Sequence, residues 1–183
     1  MHILVTGNAG FIGFHLSYNL LKSSDEIKII GLDNINSYYS KKLKLDRIKI
    51  LKKNPRFIFY KLNISNKKKL YDILENYKIT YVIHLAAQAG VRYSFTNPEK
   101  YIESNIYGFN NVIEYCRLKK IHNFFFASSS SVYGDQLKFP IKENFQLKPV
   151  SFYGTTKLVN EKIAFSYSKN FNIQCTSLRF FTV

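Results

Sequence analysis

A tyrosine and a lysine stand four residues apart in the segment YGTTK, as Tyr153 and Lys157. On a helix, residues four apart lie on the same face, so the lysine ammonium can favour the ionised form of the phenol. A phenolate near neutral pH could act as a general base on a substrate hydroxyl. Three other pairs have this spacing: Tyr18/Lys22, Tyr38/Lys42 and Tyr115/Lys119. Spacing alone therefore does not identify a catalytic pair.

Four consecutive serines distinguish the pair at Tyr153 from the other three. Ser128 to Ser131 directly follow the apolar run NFFFA, and ligands of parallel sheets lie beyond the carboxyl ends of strands. Tyr153 lies near the start of the next predicted helix, so its ring can reach the same crevice, where a serine hydroxyl can share the hydrogen bond to the reacting oxygen. We expect the other three tyrosines to be packing or surface residues. The serines could also form a simple polar loop.

A glycine-rich turn, TGNAGFIG, places Gly7, Gly10 and Gly13 between an apolar strand, HILVT, and an amphipathic helix. Glycines allow a tight turn, a close approach of backbone to a pyrophosphate and close packing of helix on strand. The helix N-terminus then offers free N–H groups to phosphates. The spacing departs from the commoner Gly-x-Gly-x-x-Gly, but its position between strand and helix favours a dinucleotide site.

Asp33 ends the next apolar run, IIGLD, 20 residues past Gly13. A carboxylate there can bind a ribose 2′-hydroxyl and would repel a 2′-phosphate, which favours NAD over NADP. The alternative is that Asp33 is a turn or cap residue, because Asp-Asn is common in turns.

Apolar runs and helical patterns alternate along the chain, which predicts an α/β, doubly wound parallel sheet of the Rossmann type with helices on both faces. The runs are almost uniformly apolar, as expected of strands covered on both faces. Helices are predicted over 11–22, 66–77, about 98–119 and about 151–168, with Ser151 as a cap and Pro98 in a first turn. Residues 40–53 read as a polar, lysine-rich segment. We expect residues 1–183 to form one domain.

Net charge, the length of apolar runs and cysteine spacing argue against several classes of function. The net charge of +15 comes mainly from dispersed lysines on apparent solvent faces, without interleaved aromatic residues, so we expect no nucleic-acid partner. No run approaches the ~20 apolar residues that span a bilayer, and the N-terminus lacks the pattern of a signal peptide. Cys116 and Cys175 have no metal-site spacing and are expected to be inert buried thiols. These features predict a cytoplasmic protein with no metal and no membrane partner.

The motifs TGNAGFIG, HLAAQAGVRYS, ASSSSVYG, YGTTK and LRFFTV together resemble the extended short-chain dehydrogenases/reductases. Among these the chain is similar to the NAD-dependent nucleotide-sugar epimerases, and HLAAQAGVRYS and LDNINSYY resemble the UDP-glucuronate 4-epimerases. The resemblance implies an enzyme that uses NAD to epimerise a UDP-sugar at C4 by transient oxidation, converting UDP-glucuronate to UDP-galacturonate. It also implies a homodimer for the full-length family.

The resemblance assigns site roles residue by residue. The expected catalytic residues are Ser129, Tyr153 and Lys157. The expected cofactor-binding residues are Gly7, Gly10, Phe11, Ile12, Gly13, Asp33, Asn34, Asn63, Ile64, Leu85, Ala86, Ala87, Asn105, Tyr153, Lys157 and Phe180. The expected substrate-binding residues are Gln88, Arg92, Ser129, Ser130, Ser131 and Tyr153. Arg92 could instead be a surface charge or an ion-pair partner, Asn34 and Asn36 could be turn formers, and His84 is expected to be structural.

Two departures from the family pattern stand out. Asn63 stands where the family usually has an aspartate that contacts adenine, although an amide can still form hydrogen bonds there. In the family, LRFFTV continues into a smaller C-terminal domain that grips the UDP. We therefore expect a Rossmann domain truncated before that substrate-binding region, with the activity of the 183-residue chain alone left open.

Other functions stay open. A nucleotide-sugar 4,6-dehydratase shares the fold, cofactor and Tyr/Lys pair, but it needs an acid and a base just before VYG, where this chain has Ser130 and Ser131. A dehydrogenase or decarboxylase of the same superfamily, and a non-catalytic NAD-binding fragment, are the further alternatives.

Overall fold

The computed structural model describes all residues from Met1 to Val183, and its six strands form one parallel sheet. The strands are β1 (His2–Thr6), β2 (Lys28–Asp33), β3 (Phe57–Lys61), β4 (Ile79–His84), β5 (Asn123–Ser129) and β6 (Gln174–Phe180). Their spatial order is β3-β2-β1-β4-β5-β6. The chain winds outward from β1 to β3 and then returns to the other side of β1, so the winding reverses between β1 and β4. The predicted doubly wound sheet is confirmed, and this reversal is where such sheets open a ligand crevice.

Helices connect the strands and cover both faces of the sheet. They are α1 (Phe11–Ser23), α2 (Lys41–Leu51), α3 (Lys67–Leu74), α4 (Val91–Thr96), α5 (Pro98–Tyr101), α6 (Phe109–Leu118) and α7 (Phe152–Phe171). Ser151 caps α7, because its hydroxyl accepts a hydrogen bond of 3.0 Å from the N–H of Gly154. The expected cap and the expected first-turn position of Pro98 are both present.

Alternate residues of each central strand enter two separate apolar cores. In β1, Leu4 packs into a cluster of 19 buried residues, whereas Ile3 and Val5 pack into a cluster of 10 on the opposite face. Strands of this kind have no solvent face, which explains their almost uniformly apolar sequences.

Two helices and one irregular segment differ from the sequence expectation. The lysine-rich segment is largely the helix α2, capped by Ser40, and the loop expected before Pro98 contains the short helix α4. The long predicted helix from Pro98 is interrupted by a π-helical segment, Ile102–Gly108, before it continues as α6. π-helical segments are rare and often lie at functional sites.

Candidate active site

The turn between β1 and α1, here called the glycine loop (Gly7–Gly13), is built by close backbone contacts. Gly7 has a φ of +79°, and a Cβ added to it would lie 2.8 Å from the amide nitrogen of Ala86. A Cβ added to Gly13 would lie 2.2 Å from the carbonyl oxygen of Gly7. Both positions therefore exclude side chains, as the sequence analysis expected of a turn whose backbone faces a ligand.

Asp33 stands at the carboxyl end of β2 with both of its oxygens bound by backbone groups. The N–H of Ile35 donates to Oδ1 at 2.8 Å, and the N–H of Ala9 donates to Oδ2 at 3.1 Å. Burial raises the pKa of the carboxyl above its ordinary value, although these two N–H groups and the charge of Lys44 oppose the rise. Asp33 thus has the turn role considered as an alternative, and it also lines the cleft described next.

A cleft of about 570 Å³ lies along the carboxyl ends of β1, β2 and β4. Ten of the predicted cofactor or substrate residues line it: Gly7, Gly10, Asp33, Asn34, Asn63, Ile64, Leu85, Ala86, Ala87 and Gln88. The volume lies in the range of small-molecule and cofactor sites. The glycine loop, the end of β2 and the end of β4 are therefore brought together as expected.

Other predicted residues do not line this cleft. They are Phe11, Ile12, Gly13, Arg92, Asn105, Ser129, Ser130, Ser131, Tyr153, Lys157 and Phe180. Arg92 is exposed on α4 and forms no ion pair, so the ion-pair alternative is not seen. Asn63 does form hydrogen bonds, but its amide nitrogen donates to the Glu103 carboxylate at 2.8 Å. Asn34 closes a turn by accepting from the N–H of Asn36, as well as lining the cleft.

The cleft has further lining residues that sequence reasoning missed. They are Leu32, Asn36, Ser37, Tyr38, Tyr39, Lys44, Leu62, Ala89, Tyr93, Lys100, Glu103 and Ser104. Sequence reasoning did not distinguish Lys44 from the other lysines of its segment. A signal was available, because Ser40 is a typical N-cap and Lys44, Ile48 and Leu51 recur at helical spacing on the buried face of α2.

Tyr38 links the cleft to the catalytic candidates. It lines the cleft, its ring lies 5.1 Å from that of Tyr93, and its phenol contributes to raising the pKa of Tyr153. Tyr38 is partly exposed and packs against Tyr93, as expected of a packing or surface residue, and it also lines the cleft. Tyr115 is indeed a packing residue, buried with its hydroxyl donating to the Leu74 carbonyl, and Tyr18 is a surface residue under Lys22.

One face of α7 carries Tyr153, Lys157 and Glu161, here called the α7 stripe, and contacts the end of β5. Lys157 Nζ donates to the Ala127 carbonyl oxygen at 2.9 Å, and Glu161 accepts from the Ser128 hydroxyl at 2.6 Å. The stripe has the i, i+4, i+8 spacing of one helical face.

The third member of the α7 stripe, Tyr153, lies beside the next serine of β5. The Ser129 hydroxyl lies close enough to lower the pKa of the Tyr153 phenol, although the two groups lack the geometry of a full hydrogen bond. Catalytic hydrogen bonds are often loose in a free enzyme. The predicted trio of Ser129, Tyr153 and Lys157 is therefore assembled in space.

Lys157 is not among the groups that lower the pKa of Tyr153 in the chain alone; the expectation combined its charge with that of an oxidised nicotinamide. Burial raises the pKa of Tyr153 above its ordinary value of 10, and Ser129 offsets only part of the rise. Burial lowers the pKa of Lys157 from 10.5 to about 8. The lysine donates to a carbonyl, and its nitrogen lies 5.9 Å from the centre of the Tyr153 ring. The chain alone therefore holds Tyr153 protonated at neutral pH.

Asn105 lies in the π-helical segment and ties three elements together. Its amide nitrogen donates to the Gln88 carbonyl and the Thr156 hydroxyl, each at 3.1 Å, and its amide oxygen accepts from the Gln88 N–H at 2.8 Å. Asn105 thus connects the loop after β4 to the first turns of α7. Its side chain is occupied within the protein, which explains why it does not line the cleft.

Ion pairing fixes the base of the α7 stripe. Arg179 on β6 forms two hydrogen bonds with Glu161, at 2.9 and 2.8 Å, and a third with the Tyr133 hydroxyl at 3.0 Å. Burial raises the pKa of the Glu161 carboxyl, but the bonds from Arg179 and Ser128 outweigh burial and leave the pKa below its ordinary value. Sequence reasoning missed this pair, because nothing local relates positions 161 and 179.

His84 and the two cysteines make no contact that indicates a catalytic role. His84 is buried, shares a 2.9 Å hydrogen bond with Thr6, and has a pKa lowered to about 3 by burial and the charge of Lys157. The structural interpretation of His84 is supported. Cys116 is buried as expected, whereas Cys175 is only partly buried; both are unpaired, and burial raises the pKa of both thiols. The structure has no cluster of three or more metal-ligating side chains, and none of its helices has the length and hydropathy needed to cross a bilayer.

Known proteins similar to this chain cover it from end to end. Protein CapI of Staphylococcus aureus is 46% identical over 100% of the chain, and UDP-glucuronate 4-epimerase 4 of Arabidopsis thaliana is 43% identical over 99% of it. The crystal structure of UDP-glucuronic acid 4-epimerase from Bacillus cereus, in complex with UDP-glucuronic acid and NAD, matches all of the chain at 38% identity with a TM-score of 0.90.

The chain spans about half the length of the relatives that it matches: 54% of CapI, 41% of the Arabidopsis enzyme and 57% of the Bacillus chain. The predicted resemblance to nucleotide-sugar epimerases is nevertheless confirmed along the whole chain. A family model described as GDP-mannose 4,6 dehydratase matches residues 4–183. The chain therefore belongs to the family that this model describes, and its similar relatives include UDP-glucuronate 4-epimerases.

Proposed function

We propose that this chain is the NAD-binding part of a UDP-sugar 4-epimerase that converts UDP-glucuronate to UDP-galacturonate. One observation carries the proposal: the glycine loop, Asp33 and the trio of Ser129, Tyr153 and Lys157 all lie at the carboxyl edge of one parallel sheet. Similar relatives named UDP-glucuronate 4-epimerases support the choice of sugar.

The residues present fit a bound NAD. The contacts at Gly7 and Gly13 leave backbone as the surface that a pyrophosphate would meet, and Asp33 offers a carboxylate where an adenosine ribose would lie. Asn34, Asn63, Ile64, Leu85, Ala86 and Ala87 would line the remainder of the cofactor. When bound, NAD would supply reversible hydride acceptance at C4 of the sugar.

The side chains of the chain would handle the proton. Tyr153 would remove the proton of the 4-hydroxyl and later return it, with Ser129 sharing the short hydrogen bond to the same oxygen. Because the phenol is protonated in the chain alone, this role requires added positive charge, which an oxidised nicotinamide carries. Lys157 would hold the nicotinamide ribose with the N–H groups that it does not donate to Ala127.

The choice between epimerisation and dehydration depends on Ser130 and Ser131. A dehydratase needs an acid and a base at these positions, and serine hydroxyls transfer no proton near neutral pH. Both serines are half-buried beside Ser129, where they could bind sugar hydroxyls together with Gln88. The name of the matching family model therefore does not define the reaction of this chain. The homodimer and the cytoplasmic location expected from the sequence remain predictions.

Proton NMR of UDP-glucuronate incubated with the chain and NAD tests the proposal. Appearance of the UDP-galacturonate anomeric signal is expected, with its loss in Tyr153→Phe and its retention in Tyr18→Phe. Tyr18 is the matched control because it also precedes a lysine by four residues, yet lies on the surface of α1. Conversion of a different UDP-sugar, with UDP-glucuronate untouched, would contradict the choice of substrate. Absence of NAD binding would contradict the cofactor site.

A second candidate is a NAD-binding module without turnover of its own. The cleft favours it, because most of the predicted dinucleotide residues line the cleft whereas Ser129, Tyr153 and Lys157 do not. Denaturing the NMR sample and measuring released NAD distinguishes the two, because a module retains NAD while the sugar stays unchanged.

A further inference from the structure

The cleft stops short of the catalytic trio, although both lie at the same edge of the sheet. It extends to Tyr38 and Ala89, but none of the three residues of the trio lines it. A dinucleotide that presents its nicotinamide to Tyr153 must therefore reach beyond Tyr38. The side chains between the cleft and Tyr153 thus decide whether the trio is accessible.

The phenol of Tyr38 lies against the backbone of Gly90. A Cβ added to Gly90 would collide with the Tyr38 hydroxyl oxygen and would lie 3.7 Å from the hydroxyl oxygen of Tyr101. Tyr101 in turn donates to the Ala89 carbonyl oxygen at 2.8 Å, and its ring lies 6.1 Å from that of Tyr153 in an edge-to-face arrangement. Tyr38 therefore reaches from the loop after β2 to the loop after β4, next to the ring that contacts Tyr153.

Few contacts hold Tyr38 in this position, in contrast to the tyrosine next to it. Tyr38 is 44% exposed, its hydroxyl forms no hydrogen bond, and its ring packs on that of Tyr93 at 5.1 Å. The Tyr39 hydroxyl instead donates to the Ala9 carbonyl oxygen at 3.2 Å and accepts from Arg47 at 3.3 Å. The segment that carries both tyrosines forms neither helix nor strand. Tyr38 can therefore turn away while Tyr39 stays in place.

Electrostatic interactions agree with this position of Tyr38. Burial is the main cause that raises the pKa of Tyr153 and of Tyr101, and the charge of an ionised Tyr38 raises both further. Charges interact strongly only over short distances or away from water. The Tyr38 phenol therefore lies close to the catalytic candidate as well as to the cleft.

We infer that Tyr38 is a gate: its side chain, placed against Gly90, closes the passage from the cleft to Tyr153 and turns aside when the nicotinamide half of a dinucleotide enters. This inference rests on the proposed function, because it takes the cleft as a dinucleotide site. The adenosine half would bind near Asp33 and the glycine loop, so its binding does not require the gate to open. Binding of the whole dinucleotide is weakened in proportion to the population of the closed state.

Isothermal titration calorimetry with NAD and with ADP tests the gate in the unmodified chain, Tyr38→Ala and Tyr18→Ala. Both ligands carry adenosine and phosphate groups, but only NAD carries a nicotinamide. Tyr38→Ala removes the closed state and should bind NAD about fivefold more tightly, as expected if one aromatic pair stabilises that state. Its affinity for ADP should not change. Tyr18→Ala is the matched control, because Tyr18 is also partly exposed but lies outside the cleft, and its affinities should equal those of the unmodified chain.

The outcomes distinguish the gate from the proposed function. Unchanged NAD affinity in Tyr38→Ala, or an equal gain for NAD and ADP, overturns the gate alone. Absence of NAD and ADP binding by all three proteins overturns the proposed cofactor site and the gate with it. Tyr38→Leu keeps an apolar side chain that is too short to reach Gly90. It should show the same gain for NAD, and it replaces Tyr38→Ala if that variant fails to fold.

Discussion

The glycine loop and the α7 stripe face the same edge of the sheet, but one is built from backbone and the other from ionisable side chains. At Gly7 and Gly13 the geometry depends on the absence of a Cβ. On α7 it depends on Lys157 and Glu161 reaching Ala127 and Ser128 of β5. The first region is shaped by steric exclusion and the second by hydrogen bonds and charge.

The two regions therefore differ in how far the folded chain alone prepares them, the glycine loop for binding and the α7 stripe for proton transfer. A backbone-built loop needs no change of ionisation to receive a pyrophosphate, so folding alone would prepare the proposed binding end. The catalytic end is not, because burial raises the pKa of Tyr153 and lowers that of Lys157, both away from the values that favour a phenolate beside an ammonium. Positive charge from a bound cofactor would lower the pKa of Tyr153 and so oppose the effect of burial on it.

The largest expected effect is steric and tests the glycine loop. Gly13→Ala places a methyl group 2.2 Å from the Gly7 carbonyl oxygen, so the helix or the loop must move. We expect a loss of about 3 kcal/mol in the free energy of unfolding, together with loss of NAD binding. Urea denaturation measures the first effect and fluorescence titration the second. His15→Ala, at an exposed position of α1, should change stability by less than about 0.5 kcal/mol. A stable Gly13→Ala variant that binds NAD would show that the loop is not fixed sterically.

The next effect is electrostatic and concerns Lys157. Its pKa is about 8 in the folded chain and 10.5 ordinarily, so between these pH values the unfolded chain binds more protons. Stability attributable to Lys157 should therefore increase with pH across this window, by about 3 kcal/mol in total. Urea denaturation from about pH 7 to about pH 10.5 should show this rise relative to Lys157→Met.

Lys162→Met, which removes an exposed lysine of the same helix, is the control for that pH series and should behave as the unmodified chain does. Parallel pH profiles for the unmodified chain and Lys157→Met would mean that Lys157 is solvated, contrary to its burial.

The smallest expected effect concerns the ion pair at the base of the α7 stripe. Glu161→Gln removes the charge that Arg179 binds and should cost about 2 kcal/mol at neutral pH, less than a fully buried pair because both side chains keep some exposure. The pKa of Glu161 is lowered in the fold, so this difference should disappear as the pH falls below 4.5 and through the folded pKa.

Glu143→Gln is the matched control for the ion pair, since the Glu143 side chain is exposed and forms no ion pair. Equal stability of Glu161→Gln and Glu143→Gln at neutral pH would show that the pair contributes little.

The sequence was sufficient where the signals are local. The glycine loop, the apolar runs that form β1, β2 and β5, and the Ser151 cap depend on residues adjacent along the chain, and each was located correctly. The helix α2 was missed because its lysines obscured an amphipathic pattern, so the contribution of Lys44 to the cleft was missed as well. The ionisation of Tyr153 could not be predicted, because it depends on burial in the fold and on the charge of Tyr38, which is distant in sequence.

The α7 stripe also has a consequence for where this chain can change in length. The segment from Tyr133 to Val150 contains no helix or strand and lies outside the stripe, so insertions or deletions there need not disturb its contacts with β5. One residue inserted between Tyr153 and Glu161 would rotate one part of the stripe by about 100° relative to the other. Homologous chains should therefore vary in length before Ser151 and keep seven residues between Tyr153 and Glu161.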